Sequence, residues 1–237
     1  MKDKLKIIAS PIAFNEEGKI GNVVKKIPKN LVDLILVVDD YSTDNTRKEA
    51  ESEEAVVITH KERKGVGAGI RTAIDYAIEN KYDIIVIMAG NDKDNPQEIS
   101  RLIDPIINEG YDFIQGSRFL KGGYYGNMPF YRILATKLHP LIFSILVGAR
   151  LTESTNGFRA FKTSLFNDKR INLWQDWLNS YELEPYLYYK VIKCGYKWKE
   201  VPVTKIYPQK GTTKMVPFRD WWRILKPLFC LWLGIKK

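Results

Sequence analysis

A short apolar run, Leu34 to Val38, stops abruptly at two adjacent carboxylates, Asp39 and Asp40, and this feature constrains the fold more than any other. Apolar runs of this length are typical of buried strands, and the polar residues that follow predict a loop leading into a helix. In a parallel α/β sheet, ligands bind in the crevice outside the carboxyl ends of the strands. The two acids are therefore candidate ligand contacts, although a solvated turn in which Asp44 caps the next helix fits the same pattern.

Strand and helix patterns alternate through the first half of the chain. The predicted strands cover residues 4–14, 34–38, 55–59, 84–88 and 111–115. The predicted helices cover residues 17–27, 44–51 and 66–79, and a further helix starts at Pro96 after the cap residue Asn95. Such alternation is typical of βαβ units, so we expect an α/β fold with a mostly parallel sheet that helices cover on both faces.

The second half of the chain has a different texture. The pattern predicts a flexible aromatic loop at 121–126, a long apolar helix at 129–147, a helix at 184–193, and strands at 157–162 and 196–203. Residues 218–237 carry tryptophan and leucine at helical spacing, with arginine and lysine between them. We therefore expect one domain over residues 1–217, followed by an amphipathic helix over residues 218–237.

The composition indicates a folded, basic protein. Hydrophobic residues make up 45% of the 237 residues, which is ample for a packed core, and two cysteines are too few for a disulfide framework or a zinc site. The formal charge of +9 indicates an anionic partner such as nucleic acid, anionic lipid or a phosphate-bearing substrate. Nucleic acid is not expected, because the cations are scattered and no nucleic-acid-binding motif accompanies them.

Polar clusters at the predicted strand ends form an ordered series along the chain. They are Phe14-Asn15-Glu16-Glu17, Asp39-Asp40-Tyr41-Ser42, Gly65-Val66-Gly67-Ala68-Gly69, Gly90-Asn91-Asp92-Lys93-Asp94-Asn95-Pro96, Gly116-Ser117-Arg118, Asn156-Gly157-Phe158-Arg159 and Lys210-Gly211-Thr212-Thr213-Lys214. Each cluster is a weak signal by itself. In this order, over residues 7–215, they resemble the family 2 glycosyltransferases of GT-A fold, and within them the dolichol-phosphate mannose synthases and other polyprenyl-phosphate glycosyltransferases.

The resemblance implies a GT-A, Rossmann-like fold and a metal-dependent, inverting transfer of one sugar from a GDP- or UDP-linked donor to a polyprenyl or dolichyl phosphate. The Gln-x-x-Arg-Trp signature of processive polysaccharide synthases does not occur in the sequence, which favours transfer of a single sugar. Two alternatives stay open at this point. One is transfer to a glycan hydroxyl in surface polysaccharide assembly, and the other is a non-catalytic module that binds a nucleotide sugar.

For the donor nucleotide, the resemblance implies contacts with Phe14, Glu16, Asp39, Asp40, Asn91 and Lys214. Carboxylates at the ends of the first two strands can accept hydrogen bonds from the base and the ribose. Phe14 can lie against the base edge, although an aromatic residue at this place is also typical of a core. Gly65, Gly67 and Gly69 predict a close backbone approach, either to a phosphate or to another part of the fold.

For the donor diphosphate, the resemblance implies Mg²⁺ or Mn²⁺ held by Asp92 and Asp94. A hard divalent cation takes oxygen ligands, usually one or two carboxylates with substrate oxygens and water. The sequence departs from the family here, because Gly90 stands where the first acid of the usual Asp-x-Asp pair is expected. The metal site is then rebuilt from Asp92 and Asp94 or binds weakly, and a role of Asp94 as a helix cap fits the sequence too.

For the acceptor phosphate, the resemblance implies contacts with Arg118, Arg132 and Thr136, and it makes Asp92, Arg118 and Arg132 the catalytic residues. Arg132 and Thr136 lie one helical turn apart, so both can reach one anion. An arginine expected near the C-terminal loop falls at Pro208, and Lys205 or Lys210 is the candidate substitute.

General acid–base chemistry is not required by this interpretation. A phosphate acceptor is already anionic at neutral pH, so catalysis reduces to positioning and charge neutralisation. A hydroxyl acceptor would need a base instead, and Glu182 and Glu184 do not match the family register cleanly. His60 and His139 are expected to be structural, because no partner for either is evident in the sequence.

The C-terminal segment predicts where the reaction takes place. Tryptophans interleaved with arginines and lysines suit a helix at a lipid interface, although a helix packed on the core has the same pattern. The apolar segments 138–147 and 225–235 are well short of the roughly 20 residues that span a bilayer. We expect a non-spanning protein that is bound peripherally to the cytoplasmic face of a membrane.

Overall fold

The computed structural model describes residues 4–208 and 219–236. Its strands, in chain order, are β1 (Ile7–Ala13), β2 (Leu34–Asp39), β3 (Val56–Thr59), β4 (Ile84–Ala89), β5 (Phe113–Ser117), β6 (Tyr124–Gly126), β7 (Arg159–Lys162), β8 (Trp198–Pro202) and β9 (Thr204–Ile206). Seven of them form one sheet in the order β3-β2-β1-β4-β7-β5-β8. Neighbouring strands in this sheet are parallel, except that β7 runs antiparallel to both β4 and β5.

The helices alternate with the strands in the first half of the chain and cover both faces of the sheet. They are α1 (Ile20–Lys26), α2 (Thr46–Ser52), α3 (Val66–Glu79), α4 (Ile99–Glu109), α5 (Phe130–Val147), α6 (Leu183–Lys193) and α7 (Arg219–Trp232). A 3₁₀ turn at Pro96–Glu98 precedes α4, and the Asn95 side chain caps it by accepting a hydrogen bond from the Gln97 amide at 3.3 Å. The α/β fold expected from the sequence is therefore confirmed.

The alternation of side chains along the strands divides the core into two layers. On one face, Ile8 of β1 belongs to a buried cluster with Ile74 of α3 and Tyr188 of α6. On the other face, the next residue, Ala9, belongs to a cluster with side chains of α1 and α4, such as Val24. A strand buried on both faces needs an unbroken apolar run, which is the pattern that the sequence shows for β2 and β4.

A proline in the central strand is accommodated by its neighbour. The parallel register pairs Pro11 with Val37 of β2. Because Pro11 has no amide hydrogen, it cannot donate to the carbonyl of the preceding residue, Leu36. The hydroxyl of Ser10, which is fully buried, donates to that carbonyl at 2.8 Å instead. The substitution of one donor for another explains how a proline is tolerated where a sheet normally excludes it.

The segment 121–126, predicted to be a flexible loop, is partly a strand. Residues Tyr124–Gly126 form β6 and pair in parallel with β9, about 80 residues further along the chain. The prediction was wrong because strand pairing with a distant segment overrides the local preference of a glycine-rich sequence for loops. This second sheet carries β9 to the carboxyl end of β4, where Asp94 and Lys205 form an isolated antiparallel bridge.

The two C-terminal helices pack together over the sheet. α7 has the amphipathic character expected of it, and its residues Ile224, Leu228 and Leu231 are buried. His139 connects α5 to α7, because its Nε2 donates to the carbonyl of Ile224 at 3.4 Å, while its Nδ1 accepts from the Ser154 hydroxyl at 2.7 Å. Burial lowers the pKa of His139 to about 4, so the ring is neutral at neutral pH.

α5 also presents an apolar face to the outside. By length and composition alone, Phe130–Val147 is apolar enough to cross a membrane, and 28% of this helix is buried in the fold. Its buried residues include Thr136, His139 and Phe143, which lie along one side. A helix with one side buried in the fold and one apolar side exposed is typical of a surface helix, so its length and composition are weak evidence that it crosses a membrane.

We predict that α7 contributes to the stability of the whole fold. Leu228→Ala removes a fully buried side chain and is expected to lower the free energy of unfolding by about 3 kcal/mol. The matched control is Leu233→Ala, since Leu233 is 59% exposed just beyond the helix and its loss should change stability by less than about 0.5 kcal/mol. Urea unfolding followed by circular dichroism measures both. Equal stability of the two variants would show that α7 does not dock on the core.

Candidate functional site

The carboxyl ends of β1, β2, β4 and β5 meet at one edge of the sheet, where a cleft of about 990 Å³ opens. Asp40, which follows β2, and Asp92, which follows β4, both line this cleft. The two acids on which the sequence interpretation depends therefore share one site. Helices α5 and α7 and the segment after β9 close its other side.

Asp40 is held as a carboxylate by three donors. It is buried, and it accepts hydrogen bonds of 2.8 Å from His60 Nδ1, from the Lys64 amide and from the Gly65 amide. Burial alone would raise the pKa of Asp40, but these hydrogen bonds outweigh burial and lower it below its ordinary value. His60 therefore has a partner that the sequence did not reveal, and Asp40 is a fixed anchor of the loop that enters α3.

The other predicted donor contacts from β1 and β2 lie in different surroundings. Glu16 lines the cleft and pairs with Lys19 at 2.9 Å. Phe14 lines it too, with the Arg63 guanidinium 4.0 Å from the centre of its ring. Asp39 is buried and does not line the cleft, because its carboxylate accepts from the amide and the hydroxyl of Ser42. Phe14, Glu16 and Asp40 therefore line one cleft, whereas the Asp39 side chain is bonded to Ser42 in the loop after β2.

The glycines after β3 serve the packing of the fold. A Cβ atom at Gly67 would collide with the backbone carbonyls of Leu178 and Ser180, and one at Gly65 would meet the backbone of Asn179. Gly65 also has a φ of +100°, a conformation that only glycine adopts readily. These glycines let the start of α3 approach the segment before α6 closely. The Gly65 amide also donates to Asp40.

The segment after β4 presents a different set of residues from the one predicted. A Cβ atom at Gly90 would lie 3.0 Å from Ala13 Cβ and 3.0 Å from Ile20 Cδ1, so this position points into the core. Its neighbours Ala89 and Asn91 line the cleft instead. The Asn91 side-chain oxygen is buried and has no hydrogen-bond partner among the described residues, which leaves it available to a ligand.

The two predicted metal ligands are not brought together. Asp92 lines the cleft, with Oδ1 paired to Lys26 Nζ at 2.8 Å. Asp94 is buried and does not line the cleft; its Oδ1 pairs with Lys205 Nζ at 2.6 Å, and its buried Oδ2 has no hydrogen-bond partner among the described residues. Within residues 4–208 and 219–236, no three histidine, cysteine, aspartate or glutamate residues are grouped so that they could hold a metal ion. The donor set here therefore does not fit a divalent cation bound by Asp92 and Asp94.

Arg118 lies in the cleft wall with all three guanidinium nitrogens engaged. Nε pairs with Glu153 at 2.7 Å, Nη1 donates to the Tyr207 hydroxyl at 2.8 Å, and Nη2 donates to the Thr155 hydroxyl at 2.8 Å. Burial disfavours its charge, but the fully buried Glu153 more than compensates and raises the pKa of Arg118. Its part in binding the acceptor stays a prediction, whereas its part in fixing Tyr207 follows from these contacts.

Two cations of the cleft lie near the aromatic ring of Tyr207. Lys93 Nζ lies 5.3 Å from the centre of its ring, and the Arg132 guanidinium lies 5.0 Å from it. Thr136 lines the cleft one turn after Arg132, and its hydroxyl donates to the Arg132 carbonyl at 2.7 Å. Burial lowers the pKa of Lys93 to about 8, the charges of Lys205 and Arg132 act in the same direction, and Glu16 acts in the opposite one.

The carboxylates that line the described part of the cleft all have partners. Glu16, Asp40 and Asp92 are paired as described above, and Glu184 pairs with Arg159 at 2.9 Å. Cations are more numerous along the same walls: Lys19, Arg63, Lys93, Arg118, Arg132, Lys205 and Arg223. The cleft is therefore suited to an anionic ligand and offers no unpaired carboxylate among the described residues.

Some predicted residues lie outside the described part of the chain, and some site residues were not predicted. Lys214, predicted to contact the donor nucleotide, and Lys210 belong to the first group. Lys93, Tyr207 and Arg63 belong to the second. Lys93 sits within the polar cluster after β4, so its position carried a signal, whereas Tyr207 reaches the site through the pairing of β6 with β9 and carried none.

Comparison with known proteins identifies the family to which the chain belongs. Residues 12–171 match the family model described as glycosyl transferase family 2, and the chain belongs to this family. A UDP-N-acetylglucosamine–dolichyl-phosphate N-acetylglucosaminyltransferase of Methanococcus voltae is 31% identical over 95% of this chain and 96% of its own. A polyprenol monophosphomannose synthase of Mycolicibacterium smegmatis is 30% identical, over 85% and 78% of the two chains.

Solved structures of lower sequence identity share the fold. Glucosyl-3-phosphoglycerate synthase from Mycobacterium tuberculosis, crystallised with Mn²⁺, UDP-glucose and phosphoglyceric acid, superposes with a TM-score of 0.70 at 18% identity. The match covers 98% of this chain and 81% of that one. The GT-A fold implied by the sequence resemblance is thereby confirmed.

We predict that Asp40 stabilises the fold in a pH-dependent manner. Its pKa in the folded state is below the ordinary value of 3.8, so its contribution is fully present above that pH and is lost as the pH falls through the folded value. Asp40→Asn should lower the free energy of unfolding by about 2 kcal/mol at pH 7.

The difference between wild type and Asp40→Asn should shrink as the pH is lowered from 5 to about 2. Chemical denaturation at a series of pH values measures it, with Asp104→Asn, an exposed position on α4, as the control. A difference that stays constant with pH would contradict the assigned charge state.

Proposed function

We propose that the protein transfers one sugar from a nucleotide-diphosphate sugar to a polyprenyl or dolichyl phosphate, with inversion at the anomeric carbon. The observation that carries this proposal is the single cleft in which the residues predicted to bind the nucleotide face a wall of cations. Relatives named for transfer to dolichyl and polyprenyl phosphates match most of the chain, which supports the same acceptor class.

The donor half rests on the residues after β1, β2 and β4. Phe14 offers an aromatic surface for a base. Arg63, whose guanidinium lies over the Phe14 ring, can donate hydrogen bonds to the base or the ribose. Glu16 can accept hydrogen bonds from donor hydroxyls. The unpaired oxygen of Asn91 can do the same for the ribose or the transferred sugar. UDP and GDP both satisfy this description.

The acceptor half rests on Arg132 and Thr136 of α5. Arg132 provides charge and the geometry that suits a phosphate, and Thr136 provides a hydroxyl one turn further on. In the reaction, an oxygen of the lipid phosphate forms a bond to the anomeric carbon while the bond from that carbon to the β-phosphate oxygen breaks. The electron pair of the broken bond stays on the nucleoside diphosphate, and no proton has to be removed.

The charge arrangement favours a phosphate acceptor over a hydroxyl acceptor. A hydroxyl would need a general base within hydrogen-bond reach. Each carboxylate that lines the described part of the cleft already accepts from a cation or from several donors. Transfer to a glycan hydroxyl is therefore the weaker alternative. A non-catalytic module is weaker still, because a site without chemistry would not require Arg132 and Thr136 opposite the donor residues.

The proposed lipid acceptor calls for a membrane contact, and α5 and α7 offer one. Phe130, Leu134, Leu138, Leu141 and Ile145 of α5 are each at least half exposed and recur every three or four residues, so they form one stripe. Trp222 and Trp232 of α7 are exposed as well. Because α5 also supplies Arg132, a lipid seated on this stripe would carry its phosphate towards the cleft. The two free cysteines fit the reducing cytoplasmic side.

We predict that Arg132→Ala lowers kcat/KM for a short-chain polyprenyl phosphate about 100-fold, because a positioned charge on the reacting phosphate is lost. Arg132→Lys should recover part of this loss, and Arg47→Ala, an exposed arginine on α2, should behave as wild type. Transfer from radiolabelled UDP- and GDP-sugars measures it. Transfer to oligosaccharides with none to the lipid phosphate would contradict the proposed acceptor.

We also predict that the stripe on α5 binds lipid bilayers. Leu141→Asp with Ile145→Asp should weaken binding to vesicles of phosphatidylcholine and phosphatidylglycerol at least ten-fold, because two exposed apolar side chains no longer enter the interface. Ile107→Asp, at an exposed position on α4, is the matched control. Vesicle co-sedimentation measures it. Equal binding of the two variants would contradict a membrane contact through α5.

A further inference from the structure

The diphosphate of a nucleotide sugar needs positive charge from its site, most of all when the leaving group gains a negative charge. In a site built on an Asp-x-Asp pair, two carboxylates facing the cleft hold a divalent cation that supplies it. The cleft-facing positions two residues apart in this chain are Ala89 and Asn91, since Gly90 points into the core. Neither of these residues carries a carboxylate.

The carboxylates that remain nearby are each paired with a lysine through one oxygen, and Asp94 does not line the cleft. Asp92 is paired with Lys26, and Asp94 is buried against Lys205, whose ammonium also reaches the Asn156 side-chain oxygen at 3.0 Å. A divalent cation bound to Asp92 would compete with the Lys26 ammonium, 2.8 Å from Oδ1, and would approach Lys93, the next residue. Like charges at such distances repel, so this part of the cleft disfavours a second cation.

The cations that the site does present are clustered where a diphosphate would lie. Lys93 follows Asp92 directly and lines the cleft, and it has no carboxylate at ion-pair distance within the described ranges 4–208 and 219–236. The charges of Lys205, Arg132 and Lys19 act on it, and the carboxylate of Glu16 acts in the opposite direction. The ring of Tyr207 lies against Lys93 and Arg132, and its hydroxyl is fixed by Arg118.

From this arrangement we infer that Lys93 neutralises the donor diphosphate in place of a divalent metal ion. The inference rests on the proposed function, since it assigns the charge of the donor that function requires. Lys93 supplies one mobile ammonium with three donors. The charge of Lys205, by contrast, is balanced by its ion pair with Asp94. A metal-independent site is thus built from the same strand end that carries the acids in an Asp-x-Asp site.

Calorimetry of UDP and GDP binding, in buffer with EDTA and in buffer with MnCl₂, tests this inference on the full chain. Wild type is expected to bind one of the two diphosphates with dissociation constants that agree within two-fold between the buffers. Binding that disappears in EDTA and returns with Mn²⁺ would overturn the inference while leaving the proposed function intact. Binding of neither diphosphate in either buffer would overturn both.

Substitutions at Lys93 provide the second arm. Lys93→Met keeps the length of the side chain without its charge and should weaken diphosphate binding at least ten-fold in both buffers, while Lys93→Arg should recover most of the affinity. Binding of the corresponding nucleoside should change by less than two-fold in Lys93→Met, because only the phosphates contact Lys93. Lys121→Ala, an exposed lysine outside the cleft, is the matched control. Wild-type diphosphate affinity in a folded Lys93→Met variant would overturn the assignment.

Discussion

The common direction of β1, β2, β4 and β5 is the constraint on which every part of the site depends. Because these strands are parallel, or run parallel across the reversed β7, their carboxyl ends lie at one edge of the sheet. Residues that are distant in sequence, such as Glu16, Asp40 and Asp92, therefore face one cleft. The Ser10 hydroxyl that replaces the missing donor of Pro11 helps to keep this central pairing intact.

Most of the charged side chains around the cleft form ion pairs, and cations outnumber carboxylates along its described walls. Glu153 is fully buried and is stabilised as a carboxylate by Arg118, while Asp94 and Lys205 form a second buried pair. Such pairs cost desolvation and persist because removing one member would leave the other uncompensated. The cations that line the cleft, Lys93 and Arg132 among them, outnumber the carboxylates that line it, and this makes an anionic substrate the natural occupant.

The sequence predicted the parts of this structure that depend on local pattern. The helix over 66–79 and the strands at 34–38 and 84–88 were found within a residue of their true ends, because apolar periodicity and a glycine start define them. The prediction was wrong or incomplete where contacts between segments distant in sequence determine the local structure. β6 was taken for a loop, and the partner of His60 was missed, since Asp40 reaches it only through the packing of the α3 loop.

The segment after β4 shows why side-chain direction, and not spacing alone, defines a site. From the sequence, Gly90 and Asp92 are two residues apart and match an Asp-x-Asp register with one acid lost. In the structure, a side chain at position 90 would enter the packing between Ala13 and Ile20, so the register that faces the cleft is one residue earlier. Both acids of the pair are then absent from that register, and Lys93 lies beside the same two positions. Without carboxylates to hold a metal ion in that register, the diphosphate would lack a compensating positive charge, and the ammonium of Lys93 is placed to supply one.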